Sequence, residues 1–153
     1  MSKIFLYICL LFCTTSYAQS SVKKAKILVT TNKAKPQIGE IIDLVIEAHI
    51  YPQWKMFSSN KQVFPGPKAT VIQLEKNDSF QLQGTLQSIA PIVKNDTFWK
   101  GEVSFFRHKA RFIQKVKILK PQAQLKGVII YQLCTIHDGT CIRYQDAFRV
   151  SLR

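Results

Sequence analysis

Through most of this sequence apolar residues recur at every second position, and a chain patterned in that way buries them as strands. In Ile42–Ala48 the side chains of Ile42, Leu44, Ile46 and Ala48 fall on one face, Asp43 and Glu47 on the other. Ala110–Leu119 repeats the pattern, with Phe112, Val116 and Ile118 alternating with Arg111, Lys115 and Lys117. Ala69–Leu74, Glu102–Arg107 and Ala147–Leu152 are shorter β-branched or aromatic runs, and Val128–Leu133 is apolar enough for a central strand. Turn signals separate these runs at Gln37-Ile38-Gly39, Pro65-Gly66-Pro67, Lys76-Asn77-Asp78, Lys94-Asn95-Asp96 and His137-Asp138-Gly139. No stretch of ten residues carries a convincing helical period. Roughly eight short strands over about 130 residues predict an all-β sandwich, and the lack of repeats or linkers predicts one domain.

Composition agrees with a folded domain. The 153 residues are 46% hydrophobic and 20% charged, which excludes a disordered tail, and six Gly with six Pro exclude collagen-like or linker-like chains. No apolar run reaches the roughly 18–20 residues of a membrane span. The first residues read as an export signal: Lys3 supplies the positive end, Ile4–Cys13 a short apolar stretch, and Ser16 and Ala18 the small residues before a cleavage point. Residues 1–18 are therefore expected to be a signal peptide and Gln19–Arg153 the mature, exported chain. Ile4–Cys13 is too short for an anchor, and bulky Phe12 disfavours lipoprotein processing at Cys13.

Cleavage removes Cys9 and Cys13 and leaves Cys134 and Cys141, an even pair in an oxidising compartment, which is expected to form a disulfide. Asp138-Gly139 between them signals a tight turn, so a hairpin would carry both sulfurs to one end of the sandwich. Two readings stay open on residues alone. The bridge is either a staple, for which chain-entropy arithmetic allows at most about 2.5 kcal/mol, or a pair that exchanges with an incoming thiolate through a mixed disulfide.

Gly127-Val128-Ile129-Ile130-Tyr131-Gln132-Leu133-Cys134, followed closely by Cys141, resembles the N-terminal periplasmic domain family of the thiol:disulfide interchange protein DsbD. Trp54-Lys55-Met56-Phe57-Ser58, Pro65-Gly66-Pro67-Lys68-Ala69-Thr70 and Asn95-Asp96-Thr97-Phe98-Trp99 are similar to further segments of that family, and the likeness runs from about Ile27 to Arg153. The resemblance implies an immunoglobulin-like β-sandwich in the periplasm. Its cysteines would pass reducing equivalents from a membrane-embedded thiol oxidoreductase to periplasmic thioredoxin-like proteins, with no organic cofactor or metal. It further implies that Cys134 and Cys141 are the redox pair, Cys141 attacking and Cys134 resolving. Phe98, with Asp96 and Trp99 beside it, would cap the pair, and Lys55 and Phe57 would line the site. Two departures bear on activity: six residues separate the cysteines, and Ile142-Arg143-Tyr144 follows Cys141 where the family usually has a proline pair. With no membrane span and no Cys-x-x-Cys in the sequence given, the chain is expected to depend on a separate donor.

Positive charge near the pair would favour a thiolate, and Lys55, His137 and Arg143 are candidates, each equally readable as an ordinary solvated residue. Cys134, His137 and Cys141 supply only three ligands close in sequence, which disfavours a metal site. Neither a Gly-x-Ser-x-Gly elbow nor a His-Glu-x-x-His helix supports hydrolysis. The net charge of +13 predicts a weak attraction to anionic surfaces such as lipid headgroups, acidic glycans or an acidic redox partner. Its lysines cluster at Lys23-Lys24-Ala25-Lys26 and Lys33-Ala34-Lys35, with Lys115, Lys117, Lys120 and Lys126 downstream. Export disfavours nucleic acid as the partner. The competing class is a non-enzymatic exported binding or assembly module whose disulfide is structural.

Overall fold

The computed structural model describes residues 22–153; the expected signal peptide lies outside the described residues. Alternation becomes ten strands: β1 Ala25–Thr31, β2 Ile41–Ile50, β3 Trp54–Phe57, β4 Val71–Leu74, β5 Phe80–Ser88, β6 Ile92–Asp96, β7 Gly101–Phe106, β8 Lys109–Ile118, β9 Gln124–Thr135 and β10 Cys141–Ser151. There is no helix among the described residues. One sheet runs β1-β2-β8-β5; the other runs β10-β9-β3-β7-β6, with β4 also paired to β9. All pairings are antiparallel, and the two sheets pack as an immunoglobulin-like sandwich.

The core lies between the sheets, where period two delivers one face of each strand. Ile42, Leu44, Ile46 and Ile50 of β2 and Phe112, Val116 and Ile118 of β8 meet Met56, Phe106, Leu125, Ile129, Tyr131 and Leu133 from the other sheet. Each fully buried side chain of this size contributes roughly 1.5–3 kcal/mol relative to exposure.

Strand β9 organises the second sheet. It pairs with β10 along its whole length, while its other side is shared by β4 against Gly127–Ile130 and β3 against Leu133–Thr135. Gly127 permits the β4 contact, since a Cβ there would lie 2.2 Å from the Gln73 carbonyl oxygen. Because Met56 and Leu133 point into the core, their neighbours Lys55 and Cys134 face outward.

Four strands lacked a clear periodic signal in the sequence, among them β3, which spans only four residues. β1 holds a single lysine, Lys26, and follows Lys23 and Lys24, while β5 is diluted by Gln81, Gln83, Gln87 and Gly84. Lys94-Asn95-Asp96, expected as a turn, belongs instead to β6, and the turn follows at residues 97–100. β6 pairs only with β7 and stands at the sheet edge with most side chains exposed, so nothing imposes apolar alternation on it.

One polar residue occupies a core-facing position of β8. Gln114 is 2% exposed. Its Nε2 donates to the carbonyls of Gln83 at 3.1 Å, Lys115 at 3.1 Å and Gly84 at 3.4 Å, where the β5–β8 register shifts between Gln83 and Gln87. The amide thus serves carbonyls that the irregular ladder leaves turned inward. Replacing Gln114 by Leu should lower stability by about 1–3 kcal/mol in chemical denaturation, despite the added hydrophobicity. An unchanged midpoint would show that those carbonyls do not need the amide.

Candidate functional site

Cys134 near the end of β9 and Cys141 at the start of β10 are directly opposed residues of the antiparallel ladder. They are joined as a disulfide with their Cα atoms 4.1 Å apart. Such an approach suits a non-hydrogen-bonded pair, the closer of the two antiparallel spacings. The neighbouring Thr135 amide donates to the Thr140 carbonyl at 2.9 Å, as that alternation requires.

The connecting turn is built by its own side chains. Gly139 adopts φ 72°, a conformation that favours glycine. The Asp138 carboxylate accepts the Thr135 hydroxyl and the Thr140 amide, the latter at 2.9 Å. These donors, Thr135 first, hold the Asp138 carboxyl down to about 2. His137, also in the turn, lies with Nε2 2.8 Å from Gln53 Oε1 and is exposed.

The two sulfurs have different surroundings. Cys134 is 1% exposed and packs with Phe57, Val103 and Phe105, flanked by Val63 and Trp99. Cys141 is exposed, and its Sγ lies 3.2 Å from the Gly139 carbonyl oxygen. A thiolate arriving from solvent therefore meets Cys141 first.

The apolar cluster around Cys134 lies on the outer face of the sheet, away from the main core. Phe57 and Phe105 are opposed across β3 and β7, and two loops cover them. One loop inserts Val63, whose Cγ2 would sit only 2.6 Å from a Cβ at Gly101, so the absence of a side chain there admits it. The other is the turn 97–100, which supplies Trp99.

Asp96 fixes that second loop. Its Oδ1 accepts the backbone amides of Phe98 at 3.0 Å and Trp99 at 3.1 Å, while Oδ2 lies 3.7 Å from Lys55 Nζ. Lys55 is the in-register neighbour of Cys134 on β3, and its ammonium sits 5.5 Å and 5.3 Å from the ring centres of Phe57 and Phe105. Cation–π contacts of this kind are worth about 0.5–2 kcal/mol, depending on desolvation. The β-ladders thus set Lys55, Cys134 and Cys141 in one row, beside Phe57, Asp96 and Trp99. Phe98 stands apart from the cluster, 78% exposed, with its ring edge-on to Trp99 at 4.9 Å. Arg143 is exposed opposite Gln132.

Four neighbours of the pair carried no flag in the sequence. Val103 and Phe105 alternate with core residues on β7 and could have been read as buried on the second face. Val63 depends on loop closure and had no local signal. Gln132 precedes Cys134 by two, so period two alone places it on the same face. Its Oε1 accepts the Lys68 amide at 2.7 Å, and its Nε2 lies 3.6 Å from Cys134 Sγ. Among the described residues no three His, Cys, Asp or Glu side chains gather as a metal site.

Residues 24–151 match the family model of the thiol:disulfide interchange protein DsbD, N-terminal domain. The fold is similar to the reduced DsbD N-terminal domain of Neisseria meningitidis, with 18% identity, a TM-score of 0.53, and 80% of this chain and 84% of that one covered. It is also similar to the N-terminal periplasmic domain of ScsB from Proteus mirabilis, with 15% identity and a TM-score of 0.61 over 84% of this chain and 47% of that one. At these identities the structural likeness shows the fold alone. No curated protein sequence matches significantly.

The capped turn has a pH signature. A carboxyl held below its unfolded value of about 4 stabilises fully above that value, and loses the contribution as pH falls through its folded value. For Asp138 that contribution should fall away between about 4 and about 2, so the hairpin tip should be unchanged from neutral pH down to about 4. A carbon-detected NMR titration of Asp138 should give a midpoint near 2. A midpoint near the ordinary aspartate value would show that the Thr135 and Thr140 bonds do not form.

Proposed function

We propose that this chain, which belongs to the DsbD N-terminal domain family, is a periplasmic thiol–disulfide relay working through Cys134 and Cys141. Residues 1–18 direct its export, and Gln19–Arg153 is the working domain. A membrane-embedded thiol oxidoreductase reduces the pair, and the reduced pair passes its electrons to periplasmic thioredoxin-like proteins. The carrying observation is the inequality of the sulfurs: Cys141 is open to solvent while Cys134 is buried beside Phe57 and Phe105.

That inequality orders the steps. In charging, the donor's thiolate attacks Cys141 Sγ, the Cys134–Cys141 bond breaks, and its electron pair goes to Cys134. The donor's second thiol then displaces Cys141, leaving a dithiol here and a disulfide there. In discharge, Cys141 attacks the partner's disulfide, and Cys134 resolves the mixed disulfide by attacking Cys141 Sγ and expelling the partner's second thiolate. Phe98, Trp99 and Asp96 form a cap: Trp99 walls Cys134, and Phe98 presents an aromatic face to the docking partner. Lys55 supplies positive charge in register with Cys134.

A purely structural bridge accounts less well for this arrangement. The sulfurs close a loop of sequence separation 7, in a hairpin already held by its own ladder and by the Asp138 cap. The entropic gain is then below the roughly 2.5 kcal/mol ceiling for so short a loop.

Trapping separates the readings. Cys134→Ser should accumulate a reductant-sensitive mixed disulfide through Cys141 with a periplasmic thioredoxin-like protein, and Cys141→Ser should accumulate far less. Equal absence of adducts from both folded variants would overturn the relay and leave the structural bridge.

A further inference from the structure

The Gln132 amide is oriented by its surroundings. Its Oε1 accepts the Lys68 backbone amide at 2.7 Å, and the reverse orientation would set N–H against N–H there. Nε2 is consequently the group turned towards Cys134 Sγ, at 3.6 Å. A disulfide sulfur is a weak acceptor, whereas a thiolate is a charged one, and hydrogen bonds to charged groups are roughly twice as strong as neutral ones. Apart from Lys55, whose ammonium is held to Asp96, little nearby favours charge on this sulfur: Cys134 is 1% exposed and its cluster partners Phe57, Val103 and Phe105 are apolar. The other sulfur has the opposite neighbour. The Gly139 carbonyl, 3.2 Å from Cys141 Sγ, can accept a thiol proton but cannot stabilise a thiolate.

From this asymmetry we infer that Gln132 stabilises the Cys134 thiolate, the leaving group when the pair is reduced and the resolving nucleophile when it is discharged. The inference rests on the relay reading for its role, but not for its chemistry. When a thiolate attacks Cys141 Sγ, the electron pair of the broken bond arrives on Cys134 Sγ, where the Gln132 N–H is already aimed and needs no reorganisation. A leaving thiolate of lower pKa departs faster. The charged groups facing the pair from neighbouring elements are Lys55 of β3, held to Asp96 of β6, and Arg143 of β10 opposite Gln132. The Lys68 contact also ties the same amide to the loop that carries Val63, so the charge on Cys134 and the seating of that loop share one side chain.

Two substitutions isolate the donor. Gln132→Met is neutral, of similar length and has no N–H; Gln132→Glu keeps an acceptor for the Lys68 amide but also removes the donor. In Cys141→Ser backgrounds, thiolate absorbance near 240 nm would be followed against pH with Cys134 as the lone mature thiol. Both substitutions should raise the Cys134 pKa by about one unit or more. In the two-cysteine protein, both should slow reduction by glutathione a few-fold. A rise with Glu alone would reflect its charge and overturn the inference, as would no change in either. If Met at this position prevents folding, Gln132→Asn, which shortens the reach of the amide, replaces it with the same expectation. Should wild-type protein fail to exchange with thioredoxin-like partners while the pKa still moves, the relay falls and the Gln132 assignment stands. Normal exchange with an unmoved pKa would sink the assignment alone.

Discussion

The register between β9 and β10 is the constraint on which the site depends. Because side chains alternate faces, a slip of one residue would send Cys134 into the main core and Leu133 outward. Leu133, Tyr131 and Ile129, all essentially inaccessible, hold β9 against that slip. That register sets Cys134 opposite Cys141, and the β3–β9 register sets it opposite Lys55 on its other side. A hydrophobic pattern that serves stability therefore also fixes the row in which the chemistry would occur.

A second layer then makes the two sulfurs unequal. The outer face of most strands in this protein is solvated, but around Cys134 it is roofed by residues from two loops, with Val63 and Trp99 closing over Phe57, Val103 and Phe105. One carboxylate coordinates much of this: Asp96 caps the turn that carries Trp99 with one oxygen and faces Lys55 with the other. Individual polar contacts this close to the surface contribute little to stability. Their value here is positional, because they decide which sulfur is covered and which is presented.

Much of the sandwich was legible because burial on one face writes itself as alternation: β2 and β8 read directly, and Asp138-Gly139 marked the hairpin. β6 did not, since an edge strand with exposed side chains carries no such imprint and its Lys94-Asn95-Asp96 resembles a turn. β7 misled in a subtler way. Val103 through Phe106 are all buried, two facing each side, so the run signals a strand but not its second cluster. The cysteines stood out through their count after signal removal, and Asp96, Phe98, Trp99, Lys55 and Phe57 came from family resemblance. The structure gathers these residues near the pair except for Phe98, whose exposure no local pattern encodes. Val63 acts through a loop closing over the sheet, and so does the Lys68 amide that orients Gln132; such long-range contacts leave no periodic trace in the chain, although period two alone sets Gln132 on the face of Cys134.

Reduction potential is the quantity that bears most directly on the central claim. A pair built to give and receive electrons must equilibrate with thioredoxin-like proteins, and measurement against a glutathione or thioredoxin couple should give a value of roughly −180 to −270 mV. A potential below about −300 mV would place Cys134–Cys141 among bridges that the surrounding thiol pools do not reduce, and would contradict the relay.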